Sequence, residues 1–385
     1  METLGLAGAF VAIIVLAFLR TRLWITLGVA TLILLLGAAG HPGQALLAAA
    51  RAAVDPGALG LVAAVALITF LAGVLKNFGL LLPMSRSLAG MLRSDRLAFA
   101  LIPGILGCLP VPGGAGISAP MVDELGDTLG LSPARKAAAN VLLRHAWFFV
   151  FPFTPPLILV SHLSGLSVAA IIARQWPLTV LTVATASLLF LHRPNGERTP
   201  YGPWHRECLS FLLTASPIFV SVGLVLGVGL PLPLALTVGI LLACLAAHRR
   251  GSFKWKLLRM SMDWEIALAT EIIMIFAALV RETTALPRLI STASAGAPLG
   301  AIVLVPVLSG FLTGNPVGGL GIALPVLLPL VPVGQDLLAH VGLMFCLTFQ
   351  AYLVSPLHLC LLLTNQYFQV PLGQAYRNLL PAVAV

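Results

Sequence analysis

The chain has 385 residues, of which 59% are hydrophobic and only 9% charged. A soluble domain carries about 25% charged residues, so this composition excludes an ordinary water-facing surface. The formal net charge of +9 does not point to nucleic acid either, because basic residues gathered in short loops between apolar runs follow the positive-inside rule of membrane proteins.

Runs long enough to cross the hydrocarbon core, about 17 to 25 apolar residues, follow one another along the whole chain. The first covers about Leu4 to Leu19 and the second about Leu23 to Gly40, joined by a turn at Arg20 and Arg22. Positive charge follows the first run rather than preceding it, so that run is expected to stay as a span and not to be cleaved as a secretory signal. Residues 41–60 are Ala-rich, with Pro42 and Pro56, and are expected to be a linker. Span 3 runs about Leu61 to Leu75. The basic, amphipathic stretch Lys76 to Arg96 is expected at the membrane surface.

Leu97 to Val122 is apolar but holds LPVPGGAGISAP (Leu109 to Pro120), with three prolines and three glycines in twelve residues. Such a segment does not hold a straight helix. Irregular backbone cannot face lipid, because its N–H and C=O groups would go unpaired. The expectation is a re-entrant hairpin over about 97–122, closed by the polar stretch Asp123 to Lys136. Asp123 and Glu124 there read as a solvated polar end. Span 4, about Ala137 to Ser161, is broken by Pro152, Pro155 and Pro156, and span 5 covers about Val168 to Leu191.

The second half repeats this order after a polar loop. Span 6 is about Cys208 to Gly229, span 7 about Leu232 to Ala247 and span 8 about Ile266 to Val280. Between spans 7 and 8 lies a basic loop with Arg249, Arg250, Lys254, Lys256 and Arg259. A second Pro/Gly-broken stretch, about 299–328, centres on GFLTGNPVGGLGIALP (Gly310 to Pro325). Span 9, about Val341 to Thr364, is broken at Ser355 and Pro356, and residues 365–385 hold only the start of a tenth span.

The two broken stretches align. Pro103 matches Pro306, Gly107 matches Gly310 and Leu109 matches Leu312; after a two-residue insertion, Gly113 and Gly114 match Gly318 and Gly319, Gly116 matches Gly321, and Pro120 matches Pro325. Shared Gly and Pro carry backbone meaning that shared Leu and Val do not. The expected fold is therefore all-α and polytopic, with about ten spans, two re-entrant hairpins and two inverted repeats. The first repeat covers 1–192, a cytoplasmic linker loop 193–207 and the second repeat 208–385. Orientation follows from charge. With the N-terminus outside and the central loop inside, only Arg51, Arg281 and Arg288 fall outside and Arg144 and Arg174 within spans, out of 22 Lys and Arg.

Inverted repeats with discontinuous helices are the build of many secondary transporters, with ligands near the midplane where helices break. A broken helix exposes N–H groups that suit an anion and carbonyls that suit a cation. The expected substrate and ion residues are Pro112, Gly113, Gly114, Gly116 and Ser118 in the first hairpin and Thr154 at the first break. The second side contributes Thr313, Gly314, Asn315, Gly318 and Gly319, with Ser355 and His358 at the second break. Glu271 lies inside span 8. A carboxylate near a helix centre costs about 2.5 to 3.5 kcal/mol on insertion scales, so a proton, a cation or a partner such as Arg144 or His145 should offset it. Glu271 is thus the candidate for coupling.

Cys108, Cys208, Cys244, Cys346 and Cys360 form no CxxC pair, and no Ser/His/Asp grouping converges. No catalytic site, metal site or organic cofactor is expected. An intramembrane enzyme is the least favoured reading, and a channel or exporter on the same scaffold is the alternative.

The segments LPVPGGAGISAPMVDE (Leu109 to Glu124), GNPVGGLGIALP (Gly314 to Pro325) and SPLHLCLLLTNQYF (Ser355 to Phe368) resemble the prokaryotic membrane proteins called domain-of-unknown-function family 401. The resemblance covers nearly the whole chain. That family looks like a branch of the ion transporter superfamily, whose members include permeases for gluconate, lactate, citrate and dicarboxylates, and arsenite carriers. The resemblance implies an organic-anion carrier of the prokaryotic inner membrane. It would be driven by Na⁺ or H⁺, would move one domain against a scaffold, and would form a homodimer through that scaffold. Dicarboxylate relatives carry a Ser-Asn-Thr type motif at both tips. Here the second tip has Thr313, Gly314 and Asn315, and the first has Pro-Val-Pro-Gly-Gly ending at Gly114.

Overall fold

The computed structural model describes residues 2–19, 21–38, 42–108, 114–191, 202–282, 297–331 and 336–383. Among them the chain is all-α, with no strand. Helices α4 (Pro56–Asn77), α10 (Val168–Phe190), α11 (Trp204–Val228) and α12 (Leu232–Arg249) are long and apolar enough to cross a bilayer. Large apolar side chains stand exposed on them, among them Leu188, Leu212, Phe219, Leu226, Leu234 and Leu241. A water-facing surface carries such residues singly, not along whole helices. These apolar helices fit a membrane protein.

The chain divides into two compact units, which do not follow the sequence halves. Unit 1 comprises 1–65, 155–174 and 264–358; unit 2 comprises 66–154, 175–263 and 359–385. Two of the boundaries fall at the predicted helix breaks, after Thr154 and after His358.

Unit 1 is built from α1 (Glu2–Phe18), α2 (Leu23–Gly37), α3 (Pro42–Ala53), the start of α4 and α9 (Pro155–Ser164), together with α14 (Trp264–Glu282), α15 (Ala297–Thr313), α16 (Pro316–Leu327) and α17 (Leu337–Leu353). Helix α1 packs on α2, α2 on α14, and α14 on α3 and α16. Helices α15 and α16 form a hairpin, against which α17 lies, while α9 packs on α16. Every residue of α16 is buried. It is the centre of the unit.

Unit 2 holds the rest of α4 and α10, with α5 (Leu81–Leu92), α6 (Asp95–Gly107), α7 (Ala115–Thr128), α8 (Pro133–His145), α11, α12 and α13 (Trp255–Arg259), and then α18 (Leu359–Tyr367) and α19 (Leu372–Val383). Helices α6 and α7 form the hairpin, α8 packs on both, and α18 covers α7 and α8. Lys136 to His145 on α8 are all buried.

Proline and glycine explain the breaks. After His145 the chain tightens into a 3₁₀ turn, Ala146–Phe149, and resumes helix only at Pro155. A proline disfavours helix at the residue before it but suits the first helical position. The same chemistry separates α17 from α18 at Ser355 and Pro356. Glycine lets each hairpin sit tightly on its neighbour. A Cβ on Gly107 would strike the backbone carbonyl of Arg144 on α8, and a Cβ on Gly310 would strike that of Thr348 on α17. These are the two glycines that the sequence alignment paired.

Two local expectations change. The stretch expected as a linker is not one: its described residues, 42–60, carry α3 and the first turn of α4. Alanine favours helix, Pro42 and Pro56 each open one, and Asp55 caps α4 by accepting the Ala58 N–H at 2.8 Å. The stretch from Lys76 to Arg96 contains α5, which is not merely a surface helix. Met84, Ser85, Ser87 and Leu88 are buried, and the helix packs on α11 and α6.

Candidate functional site

In unit 1 the tip between α15 and α16 is tied down by its own polar groups. Asn315 caps α16, its side-chain oxygen accepting the N–H of Val317 at 2.8 Å and of Gly318 at 3.2 Å. The Thr313 hydroxyl donates to the Ser309 carbonyl at 2.7 Å and lies 2.9 Å from the Asn315 carbonyl. Gly314 turns the chain with φ +55° and sits against Leu357, leaving no room for a side chain. Ser355 donates to the Phe311 carbonyl at 2.5 Å and accepts the Leu357 N–H at 3.1 Å. The structure thus gathers Thr313, Gly314, Asn315 and Ser355 where the hairpin meets the second break. Gly318 and Gly319 follow on α16, facing Leu23 and Thr348. His358 is buried, its Nδ1 is 3.3 Å from the Leu353 carbonyl, and its ring lies 4.1 Å from that of Tyr352.

Glu271 sits within α14 and forms no ion pair among the described residues. Its Oε2 is buried without a hydrogen-bond partner. Thr348, whose carbonyl meets Gly310, is fully buried with an unpartnered hydroxyl.

In unit 2, Pro112 and Gly113 lie outside the described residues. Gly114 is buried, whereas Gly116 is exposed. Ser118 is fully buried and bonds Asn140 Oδ1 at 2.7 Å; Asn140 Nδ2 in turn donates to the Thr364 hydroxyl at 3.0 Å. One amide therefore ties α7, α8 and α18 together. Thr154 is buried at the first break, 3.2 Å from the Phe151 carbonyl. Substituting Asn140 by leucine should strand the Thr364 hydroxyl and leave Ser118 only its 3.3 Å bond to the Ala115 carbonyl. A stranded buried group costs about 1–3 kcal/mol, so a clear fall in the unfolding temperature of the purified protein is expected. An unchanged melting curve would show that the network contributes nothing.

The basic side chains of α8 have different fates. Arg135 is exposed and donates to the Leu189 carbonyl at 2.8 Å. Lys136, at the polar start of the helix, bonds Asp123 and Asp127 at 2.6 Å each. Burial alone would lower the Lys136 pKa, but the two carboxylates outweigh it and leave it above the ordinary 10.5. Its ammonium is therefore charged and occupied through the neutral range, and that stabilisation is lost only as pH rises through the raised value. Arg144 is different. It is buried, joins no ion pair among the described residues, and its Nη1 has no hydrogen-bond partner. His145 beside it is buried, with Nδ1 2.7 Å from the Val141 carbonyl.

The sequence model of the family described as Protein of unknown function (DUF401) matches residues 3–385. The chain belongs to this family. The match takes in both hairpins and both helix breaks, so the features described above lie inside the family's own sequence pattern. No curated protein matches the chain.

Sequence reasoning missed Trp147, Gln175, Thr348 and Asn365, all of which carry buried polar atoms without partners. A polar residue inside an apolar run was the available signal, but it does not say which such groups find partners.

Proposed function

We propose that the protein is a secondary active transporter of a small organic anion, coupled to H⁺ or Na⁺, working by alternating access. The observation that carries this reading is the twice-used seating of a helical hairpin on a broken helix, through Gly107 on Arg144 and Gly310 on Thr348. Discontinuous helices in an apolar chain place unpaired backbone and polar groups at depth, which is how secondary transporters hold ions and substrates. The order α1, α2, α4, α6–α7, α8 and α9, α10 recurs as α11, α12, α14, α15–α16, α17 and α18, α19. That recurrence supports two inverted repeats, about ten spans and a place within the ion transporter superfamily.

In this reading the membrane is the prokaryotic inner membrane, with the N-terminus outside and the basic loops cytoplasmic. The protein forms a homodimer. Substrate and coupling ion bind at the hairpin tips and helix breaks, and Glu271 carries the coupling charge.

The deciding experiment is uptake by proteoliposomes of labelled small carboxylates and oxyanions under imposed H⁺ and Na⁺ gradients, with counterflow controls. Saturable, gradient-driven accumulation of one anion is expected and would name the coupling ion. Conduction without counterflow would instead mark a channel. Folded protein that accumulates none of the panel would count against an organic-anion carrier.

A further inference from the structure

We infer that Arg144, Trp147 and Gln175 form a binding site in unit 2 for the carboxylate of a monovalent organic anion. The buried positive charges of unit 2 are unevenly balanced. Lys136 and Arg144 are the buried lysine and arginine among the described residues. Lys136 is neutralised by two carboxylates, whereas Arg144 has none and leaves Nη1 without a partner. A buried charge is costly unless it is paired. Arg144 lies in the last turn of α8, where the negative end of the helix dipole offsets part of that cost. No carbonyl accepts a hydrogen bond from Nη1.

The groups around it make the imbalance specific. Trp147 follows in the 3₁₀ turn, and its indole Nε1 is also buried with no acceptor. The indole nitrogen lies against Gly104 of α6, while the stem of Arg144 lies against Gly107, so one face of α6 supports both side chains. On α10 the Thr179 hydroxyl donates to the Ala146 carbonyl at 2.7 Å, which fixes that face of α10 to the same turn. Gln175 stands one helical turn before Thr179 on that face. It is 1% exposed, and both its amide oxygen and its amide nitrogen lack partners. A cation and a neutral N–H donor at one turn, and an amide one helical turn along α10 from the residue bonded to that turn, are therefore all buried and unused.

Their chemistry selects the ligand. A guanidinium presents a planar fork that matches a carboxylate. Trp147 adds a second donor to an oxygen. Gln175 offers both a donor and an acceptor, which suits a hydroxyl on the same molecule. One free positive charge balances one negative charge. A second carboxylate would meet no further unoccupied buried Lys or Arg among the described residues, so di- and tricarboxylates are disfavoured. The inference rests on the transporter reading only in taking the bound anion for cargo; binding itself stands apart from transport.

The test is anion binding by the purified full chain in detergent, measured by calorimetry and by the shift in unfolding temperature. The probes are monocarboxylates of two to six carbons with and without a 2-hydroxyl, butanedioate, propane-1,2,3-tricarboxylate, butanamide, sulfate and phosphate. A monocarboxylate is expected to bind at least about tenfold more tightly than butanedioate, and butanamide not to bind. Arg144→Gln should weaken binding by at least about tenfold, and Trp147→Phe and Gln175→Leu by about three- to tenfold each. Without anion, Arg144→Gln should unfold at a higher temperature than the wild type, because it removes an unpaired buried charge. A purely structural arginine would give the opposite shift.

Folded wild type that binds no monocarboxylate, binding that Arg144→Gln leaves intact, or preference for sulfate, phosphate or the polycarboxylates would each overturn the site. Binding that depends on Arg144, in a protein that accumulates nothing in proteoliposomes, would keep the site and refute the carrier. Accumulation that ignores Arg144 would do the reverse.

Discussion

Gly310→Leu is expected to cost more stability than any other single change considered. A Cβ at Gly310 meets the backbone carbonyl of Thr348, not a flexible side chain. Nothing there can rotate away, so α15 and α17 would have to separate. Overpacking costs about 1–3 kcal/mol and occasionally more; here backbone blocks every rotamer. A fall of several degrees in unfolding temperature is expected, with a loss of monodisperse protein. Gly107→Leu meets the Arg144 carbonyl and should behave alike. Gly227→Leu is the control, because a Cβ there meets nothing within 4 Å. If Gly310→Leu purified and melted like that control, the hairpin would not be seated on α17 as described.

Glu271→Gln is expected to abolish uphill accumulation while leaving exchange intact. The side chain lies within an apolar helix with one carboxylate oxygen buried and unpartnered. A charge there costs about 2.5–3.5 kcal/mol on insertion scales, and no ion pair among the described residues offsets it. The remaining compensators are a proton or a cation, the two species that a coupled carrier moves. An amide keeps the shape and loses both functions. Gradient-driven uptake should fall at least about tenfold, to the level of counterflow, with no loss of folded protein. Unchanged pH-driven uptake by the variant would remove Glu271 from the mechanism.

The sequence was most legible where backbone chemistry dictates structure. Pro155, Pro356 and the glycines at 107 and 310 marked the breaks and the close helix approaches. Alanine and proline misled at 41–60, because Pro42 and Pro56 begin helices there and do not end them. For the candidate site, Thr313, Asn315 and Ser355 stood out as polar residues in apolar runs. The sequence could not show that they spend hydrogen bonds on holding the tip. Arg144 was visible only as a possible partner for Glu271. Its loneliness, and the gathering of Trp147 and Gln175 near one turn, depend on how α6, α8 and α10 pack. The two compact units were not legible, since each draws separate segments from both halves of the chain.

That interleaving bears on biosynthesis. The polypeptide passes from one unit to the other at 65/66, 154/155, 174/175, 263/264 and 358/359. A nascent chain that has emerged only as far as residue 263 therefore lacks α14 to α17, most of what packs in unit 1. Unit 2 still waits for α18 and α19. Neither unit can close its core while the ribosome is still translating the middle of the message. The early helices must wait, inserted but unassembled, in the membrane. Quality-control proteases then have a long window in which to act. Fragments cut at the central loop should each be degraded when made alone, and should persist when both are made in the same cell.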